Sequence, residues 1–192
     1  METITMRLTG TSAMLMHSDK LADPLNPMTK DHKVLTNKTK KTDEDHYAIA
    51  KSEWRGSLYY RDVVYVPASN VRSCMVEGGK LSKLGMHLKR GTMILADELP
   101  LEYDGPQDPE AMWASGRFHD CRSVVVSGKR LMRYRPLFRE WSLTAEVTYD
   151  PLVVEAAQVL KSMTDAGRMV GLGDFRPAKG GSFGRFSVTQ IG

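Results

Sequence analysis

The stretch Trp141–Tyr149 alternates between apolar and polar side chains without a break. This period of two is typical of a strand that packs one face against a core and exposes the other face to water. The segment Thr3–Leu8 has the same pattern, with Ile4, Met6 and Leu8 on one side. Strands of this kind predict an antiparallel sheet with one covered face.

Three segments have helical patterns. Thr42, followed by three acids, predicts an N-cap and a helix to about Leu58. Pro67-Ala68-Ser69 predicts a second start, with Ser69 as the cap, and Asp150-Pro151 predicts a third. Helices interspersed with strands predict an α+β fold with the helices on one face of an antiparallel sheet.

The composition is that of an ordinary globular protein. Its 192 residues are 41% apolar and 26% charged, which favours a single domain over residues 1–192. Cys74 and Cys121 are far apart, which argues against a disulfide framework or a thiolate metal site. We expect no metal and no cofactor. No leader pattern or long apolar run is visible, and a cytoplasmic protein without membrane contact is expected.

A glycine-rich stretch, Gly171–Phe186, has five glycines, all within the fourteen residues 171–184. Glycine allows unusual dihedrals and leaves main-chain amides accessible, so the stretch predicts a loop that holds a phosphate backbone. The alternative is a flexible connection whose charges only favour solubility. The candidate binding residues here are Arg176, Lys179, Gly180, Gly181 and Arg185.

A basic segment extends from Arg122 to Arg139 without a single acid. Valines, then Ser127-Gly128, then a second apolar-basic run predict a β-hairpin. Its candidate ligands for phosphate are Lys129, Arg130, Arg133 and Arg135, the last two on one strand face. Tyr134 and Phe138 could stack on bases, or they could simply pack.

A lysine-rich segment, Leu21–Lys41, contains prolines and asparagines that predict no long regular element. Lys38, Lys40 and Lys41 could reach a nucleic-acid strand and become ordered on binding; the alternative is a solvated loop.

An acidic segment over residues 97–110 carries six acids and no Lys or Arg. It is either solvated or complementary to the basic surface of a second copy, which would favour homo-oligomers.

Two stretches together resemble a known family. Val64–Arg72, with Ser69, Asn70 and Arg72 at a helix entry, is similar to the corresponding stretch of RAMP-superfamily proteins, particularly the backbone subunits of CRISPR effector complexes. Gly171–Phe186 resembles that superfamily's C-terminal glycine-rich loop. The helix departs from the family pattern at Ser73 and Val76, and segments at about 18–60 and 97–120 are expected to be insertions.

The resemblance implies a ferredoxin-like, RNA-recognition-type domain that binds single-stranded RNA or DNA and multimerises along it, with other effector-complex subunits as further partners. It also implies a small phage-type relative acting in the host cytoplasm in defence or counter-defence. Some relatives cut RNA with an aspartate after the first strand, which makes Asp23 a candidate here. His17 and His46 are the other candidates for an endoribonuclease, but no telling pair is visible, and non-catalytic binding is favoured.

Overall fold

The computed structural model describes residues 1–192, except for the side chain of Val126. The chain divides into two compact units. The first unit contains Met1–Met14, Tyr60–Asp104 and Phe138–Gly192, and the second contains Leu15–Tyr59 and Gly105–Leu137. The predicted α+β class with antiparallel sheets is confirmed.

The first unit is built on a four-stranded antiparallel sheet. Its strands lie in the order β4 (Thr92–Met93), β8 (Ser142–Tyr149), β1 (Glu2–Gly10) and β9 (Phe186–Gln190). The register places Met6 opposite Ala145, and both side chains are fully buried. The two alternating patterns in the sequence therefore form the apolar face of one sheet, as predicted.

Helices α3 (Ala68–Gly79) and α6 (Ala156–Met169) pack closely against each other. Gly78 makes this approach possible, because a Cβ there would lie 2.5 Å from the carbonyl oxygen of Ser162. Along the chain, the elements of this unit that form the sheet and its helices follow the order β1, α3, β4, β8, α6, β9.

Three shorter elements complete the first unit. β3 (Tyr65–Pro67) pairs with β5 (Glu98–Pro100) in a separate two-stranded sheet. Helix α4 (Gly85–Gly91) follows a 3-10 turn at Lys80–Ser82 and leads directly into β4.

The second unit contains helices α1 (Pro27–Thr36), α2 (Asp43–Ser57) and α5 (Pro109–Ala114). Its hairpin consists of β6 (His119–Val126) and β7 (Lys129–Phe138), and the short strand β2 (Met14–Leu15) adds to β7. Trp54 of α2 is buried, donates to the carbonyl oxygen of Phe118 at 2.8 Å and packs against Trp113. Trp54 is therefore a core residue of the second unit.

Several local predictions were wrong. A helix, α1, lies where prolines and asparagines predicted irregular chain, because Asn26 caps the amide of Met28 and Pro27 occupies the first turn, where its missing N–H costs nothing. Ser69 is not a cap, since α3 already begins at Ala68. Helix α6 begins at Ala156 with Glu155 as its N-cap, several residues after the predicted start at Asp150-Pro151.

Candidate nucleic-acid interface

The basic hairpin forms as predicted. Ser127 and Gly128, both with positive φ, connect its strands in a two-residue turn. Positive φ at both turn positions matches the right-handed twist of the strands. In the register, Arg122 lies opposite Arg133 and Asp120 lies opposite Arg135, so these four side chains share one face.

Acids neutralise part of this arginine row. Arg133 donates from Nη1 to Oε1 of Glu53 at 2.7 Å, and the other carboxylate oxygen of Glu53 accepts the amide of Tyr134 at 3.2 Å. Arg122 forms two hydrogen bonds with Asp120. These arginines therefore hold the base of the hairpin together, and their charge is not fully available to phosphate.

The tip of the hairpin differs from its base. Lys129 and Arg130 are exposed, and within the described structure neither has an acidic partner. Beside them, Val125 is 66% exposed and Met132 is 55% exposed. An exposed tip that combines unpaired cations with uncovered apolar side chains is suited to contact phosphate and base or sugar together.

The two aromatic residues of β7 differ in exposure, since Tyr134 is half-buried and Phe138 is buried. Tyr134 lies 6.3 Å from the ring of Trp113, and Phe138 is fully buried with Tyr103 4.9 Å away. For Phe138, packing rather than base stacking is therefore the role that the structure supports.

The lysine-rich segment ends between α1 and α2. Lys38 pairs with Asp45, an acid of the first turn of α2, and Lys41 donates to the carbonyl oxygen of Lys38 at 2.7 Å. Lys40 is exposed and has no ion-pair partner among the described side chains. Of the three candidates, Lys40 offers the least compensated charge.

The glycine-rich stretch folds back on itself. A Cβ at Gly181 would lie 1.7 Å from the carbonyl oxygen of Phe175, and one at Gly184 would lie 1.7 Å from that of Leu172. Glycine is thus required by the close approach of two main-chain segments. The amides of Gly180, Gly181 and Gly184 donate to carbonyl oxygens of the protein, so these amides are not free for a phosphate.

The side chains of this loop are also partly engaged. Arg176 donates to the carbonyl oxygen of Gly173 at 3.0 Å, and Arg185 donates to that of Arg168. Arg168 and Arg185 line a concavity of about 650 Å³ along α6 and β9. Lys179, beside Gly180 at the exposed apex, is the cation of the loop with the most open surroundings.

The helix entry that carries the family resemblance presents Ser69 and Asn70 to solvent. Arg72 instead has a structural role. Its guanidinium donates to the carbonyl oxygens of Lys89 at 2.5 Å and Thr92 at 3.0 Å, which satisfies acceptors at the C-terminal end of α4.

The acidic segment is largely neutralised by its own chain. Glu102 pairs with Arg7 at 2.5 Å, and Glu98 pairs with Arg61 at 3.2 Å in the first unit. In the second unit, Glu110 pairs with Lys51, and Asp108 caps α5. These contacts explain much of the segment without a second copy.

The three candidate catalytic residues, Asp23, His17 and His46, are exposed. Asp23 accepts the amide of Leu25 at 2.9 Å, and His46 lies in the first turn of α2. Across the described residues, no group of three or more histidines, cysteines or acids is placed to hold a metal ion.

The net charge is confined to one unit. The second unit has fourteen Lys and Arg against ten Asp and Glu, which accounts for the whole formal charge of +4. The first unit has thirteen of each and is neutral. Sequence order alone obscures this division because both units are discontinuous along the chain.

No protein-family model matches the chain, and no curated protein is significantly similar to it in sequence. In the described part of the chain, no helix has both the length and the apolar character needed to cross a lipid bilayer.

Proposed function

We propose that this protein binds single-stranded nucleic acid without cutting it, and that the second unit supplies the principal contacts. The observation that carries the proposal is the confinement of the entire net positive charge to that unit. Neutralising phosphates releases condensed counterions, which is the main source of affinity for a nucleic-acid strand. The contacts proposed are Lys129 and Arg130 at the hairpin tip, together with Lys40.

The first unit supports a further part of the proposal, that it is a ferredoxin-like, RNA-recognition-type domain related to the RAMP superfamily. The support for this part is the strand order β4-β8-β1-β9 and the chain order β1, α3, β4, β8, α6, β9, since a strand–helix–strand–strand–helix–strand order is expected of such a domain. If this proposed relationship holds, it favours RNA over DNA as the ligand and a protein that occupies a strand in several copies. Fold alone does not define the ligand.

The proposed contact is the hairpin rather than the polar face of the four-stranded sheet. RNA-recognition domains stack bases on aromatic side chains of their sheet. Here the polar face of β1 and β8 consists of threonines with Arg7, Ser142 and Glu146. Arg7 is already paired with Glu102. No aromatic side chain lies among the described β1 and β8 residues of that face.

The experiment compares the binding of a fluorescein-labelled oligouridylate to the full chain and to Lys129→Ala/Arg130→Ala at low salt. The tip variant should bind roughly tenfold more weakly, as expected for the loss of two charge-assisted contacts. The control is Arg61→Ala/Lys161→Ala, which removes equal charge from two exposed ion pairs of the neutral unit. No binding by the full chain, or equal affinities of the two variants, would overturn the proposal.

A further inference from the structure

A basic groove in the first unit, outside the hairpin and the glycine-rich stretch, has the properties of a ligand site. It lies along α3, the 3-10 turn at Lys80–Ser82 and α4, and encloses about 580 Å³. This volume is within the usual range for small-molecule sites. We propose that this groove, termed here the α3–α4 groove, binds a phosphorylated nucleotide.

The cations of the groove exceed its acids. Arg72, Lys80, Lys83 and Lys89 line it together with one acid, Glu77. Glu77 is paired with Lys80 at 2.5 Å, three residues further along the chain, so this acid compensates the charge of Lys80. Lys83 and Lys89 are exposed and have no ion-pair partner among the described residues. Two uncompensated ammonium groups on one concave surface favour an anion such as phosphate.

Lys83 has an unusual backbone conformation. Its φ is 61° and its ψ is 18°, in the left-handed region that glycine or asparagine usually occupies at the end of a helix. A lysine in this conformation costs free energy, and such residues concentrate at ligand sites. Its amide donates to the carbonyl oxygen of Lys80 at 3.0 Å, which fixes Lys83 between the 3-10 turn and α4.

The opposite wall is fixed by Arg72. Because its guanidinium binds the carbonyl oxygens of Lys89 and Thr92, the main chain that carries the Lys89 side chain is held against α3. The groove is thus largely formed before a ligand arrives, which reduces the entropy lost on binding.

The groove also has an apolar part. Val76 and Met86 line it, and Met86 is 56% exposed. An inorganic anion would leave these side chains uncovered, whereas a nucleotide supplies a base or ribose for them and a phosphate for Lys83 and Lys89. Methionine adapts its shape and makes favourable contacts with aromatic rings such as bases.

The nucleotide can be free or part of a strand, and two probes distinguish these sources. Adenosine diphosphate is titrated by calorimetry, and the labelled oligouridylate by fluorescence anisotropy. The variant Lys83→Ala/Lys89→Ala should bind at least one of the two probes roughly tenfold more weakly, because it loses two charge-assisted contacts. Arg61→Ala/Lys161→Ala, which removes equal charge outside the groove, is the matched control. Met86→Glu adds a carboxylate to the apolar part and should weaken the same probe.

The outcomes separate this inference from the proposed function. Loss of oligouridylate binding in the groove variants assigns the groove to the strand, and loss of adenosine diphosphate binding assigns it to a free nucleotide. If the hairpin-tip variant weakens oligouridylate binding while both groove variants match the control with both probes, the inference is wrong and the proposed function stands. If adenosine diphosphate binds through Lys83 and Lys89 but oligouridylate does not bind the full chain, the inference stands and the proposed function is wrong.

Discussion

Glu53 of α2 binds β7 through both of its carboxylate oxygens. One oxygen accepts a hydrogen bond from the guanidinium of Arg133 at 2.7 Å, and the other accepts one from the amide of Tyr134 at 3.2 Å. The side chain of Glu53 is only 12% exposed. Removal of this acid would leave a half-buried guanidinium and a strand amide without their partner, which is more costly than losing an exposed ion pair.

We therefore expect Glu53→Ala to lower the free energy of unfolding by about 1–3 kcal/mol. The matched control is Glu110→Ala, which breaks an ion pair with Lys51 whose acid is 66% exposed and should cost less than about 1 kcal/mol. Urea denaturation measures both variants. Equal free energies of unfolding for Glu53→Ala and Glu110→Ala would show that Glu53 does not stabilise the contact between α2 and the hairpin.

How much of the fold the sequence predicts depends on how far apart in the chain the interacting residues lie. Strands β1 and β8 follow from alternation within each segment, and the hairpin follows from Ser127-Gly128, because these signals are local. The contact between Glu53 and Arg133 joins residues far apart in the chain, so the charge pattern of the hairpin alone suggested a free arginine row. The misassigned α1 shows that Pro and Asn both end and begin helices, and only the caps distinguish the two cases.

For the candidate site, the sequence indicates which residues carry suitable charges and glycines. It does not indicate which of these groups are already bound by the protein itself. Glycines of the stretch 171–186 were visible as positions of close main-chain approach, but the approaching chain is the protein itself. The α3–α4 groove was not predicted, since Lys83 and Lys89 are ordinary lysines in sequence and only the left-handed turn and the path of α4 place them together.

Cys74 connects α3 to the start of the glycine-rich stretch, and its thiol donates to the carbonyl oxygen of Gly171 at 3.3 Å. Burial raises the pKa of Cys74 to about 12. Since the thiolate is the reactive form, Cys74 should react with Ellman's reagent only when this region opens, whereas exposed Cys121 should react directly.

The measurement is the kinetics of thiol labelling under native conditions, with Cys121→Ser used to isolate Cys74. We expect one rapid and one slow thiol in the unsubstituted chain, and a slow reaction alone in the variant. Equally rapid labelling of both thiols would contradict the closed structure of Gly171 and its neighbours.

His32 should make stability depend on pH. Burial lowers its pKa below the ordinary 6.5, an effect opposed by Glu53 and reinforced by Arg133, and its Nδ1 lies 3.0 Å from the hydroxyl of Ser52. The unfolded state therefore binds the proton more readily than the folded state. The contribution of His32 to the free energy of unfolding is therefore fully present above about pH 6.5. It is lost as the pH falls through 6.5 toward the lower pKa of the folded state.

Chemical denaturation on both sides of pH 6.5 checks this linkage. His32→Gln should remove the part of the pH dependence that His32 contributes, and substitution of exposed His46 by Gln is the control. An unchanged pH profile in His32→Gln would exclude this histidine as the cause.

Gly78 should not accept a side chain. An added Cβ would meet the carbonyl oxygen of Ser162 at 2.5 Å and the amide nitrogen of Ala166 at 2.6 Å, both main-chain atoms of α6. We expect Gly78→Ala to destabilise by about 1–3 kcal/mol through overpacking, despite the better helix propensity of alanine.

Thermal unfolding should show a Tm lower by about 2–4 °C for each kcal/mol lost, as is usual for chains of this size. Ser73→Ala, on the exposed part of the same helix, is the control and should leave the Tm nearly unchanged. A Tm of Gly78→Ala at or above that of the unsubstituted chain would show that α3 and α6 are farther apart than described.

The most direct test of phosphate binding by the second unit is the dependence of oligouridylate affinity on salt concentration, measured for the unsubstituted chain and for Lys129→Ala/Arg130→Ala. Single strands contribute a slope of roughly −0.7 per neutralised phosphate in a plot of log affinity against log salt. The tip variant should therefore show a slope shallower by about 1.4, whereas the control Arg61→Ala/Lys161→Ala should keep the slope of the unsubstituted chain. An affinity that does not respond to salt, or equal slopes for the tip variant and the unsubstituted chain, would contradict phosphate binding by the second unit.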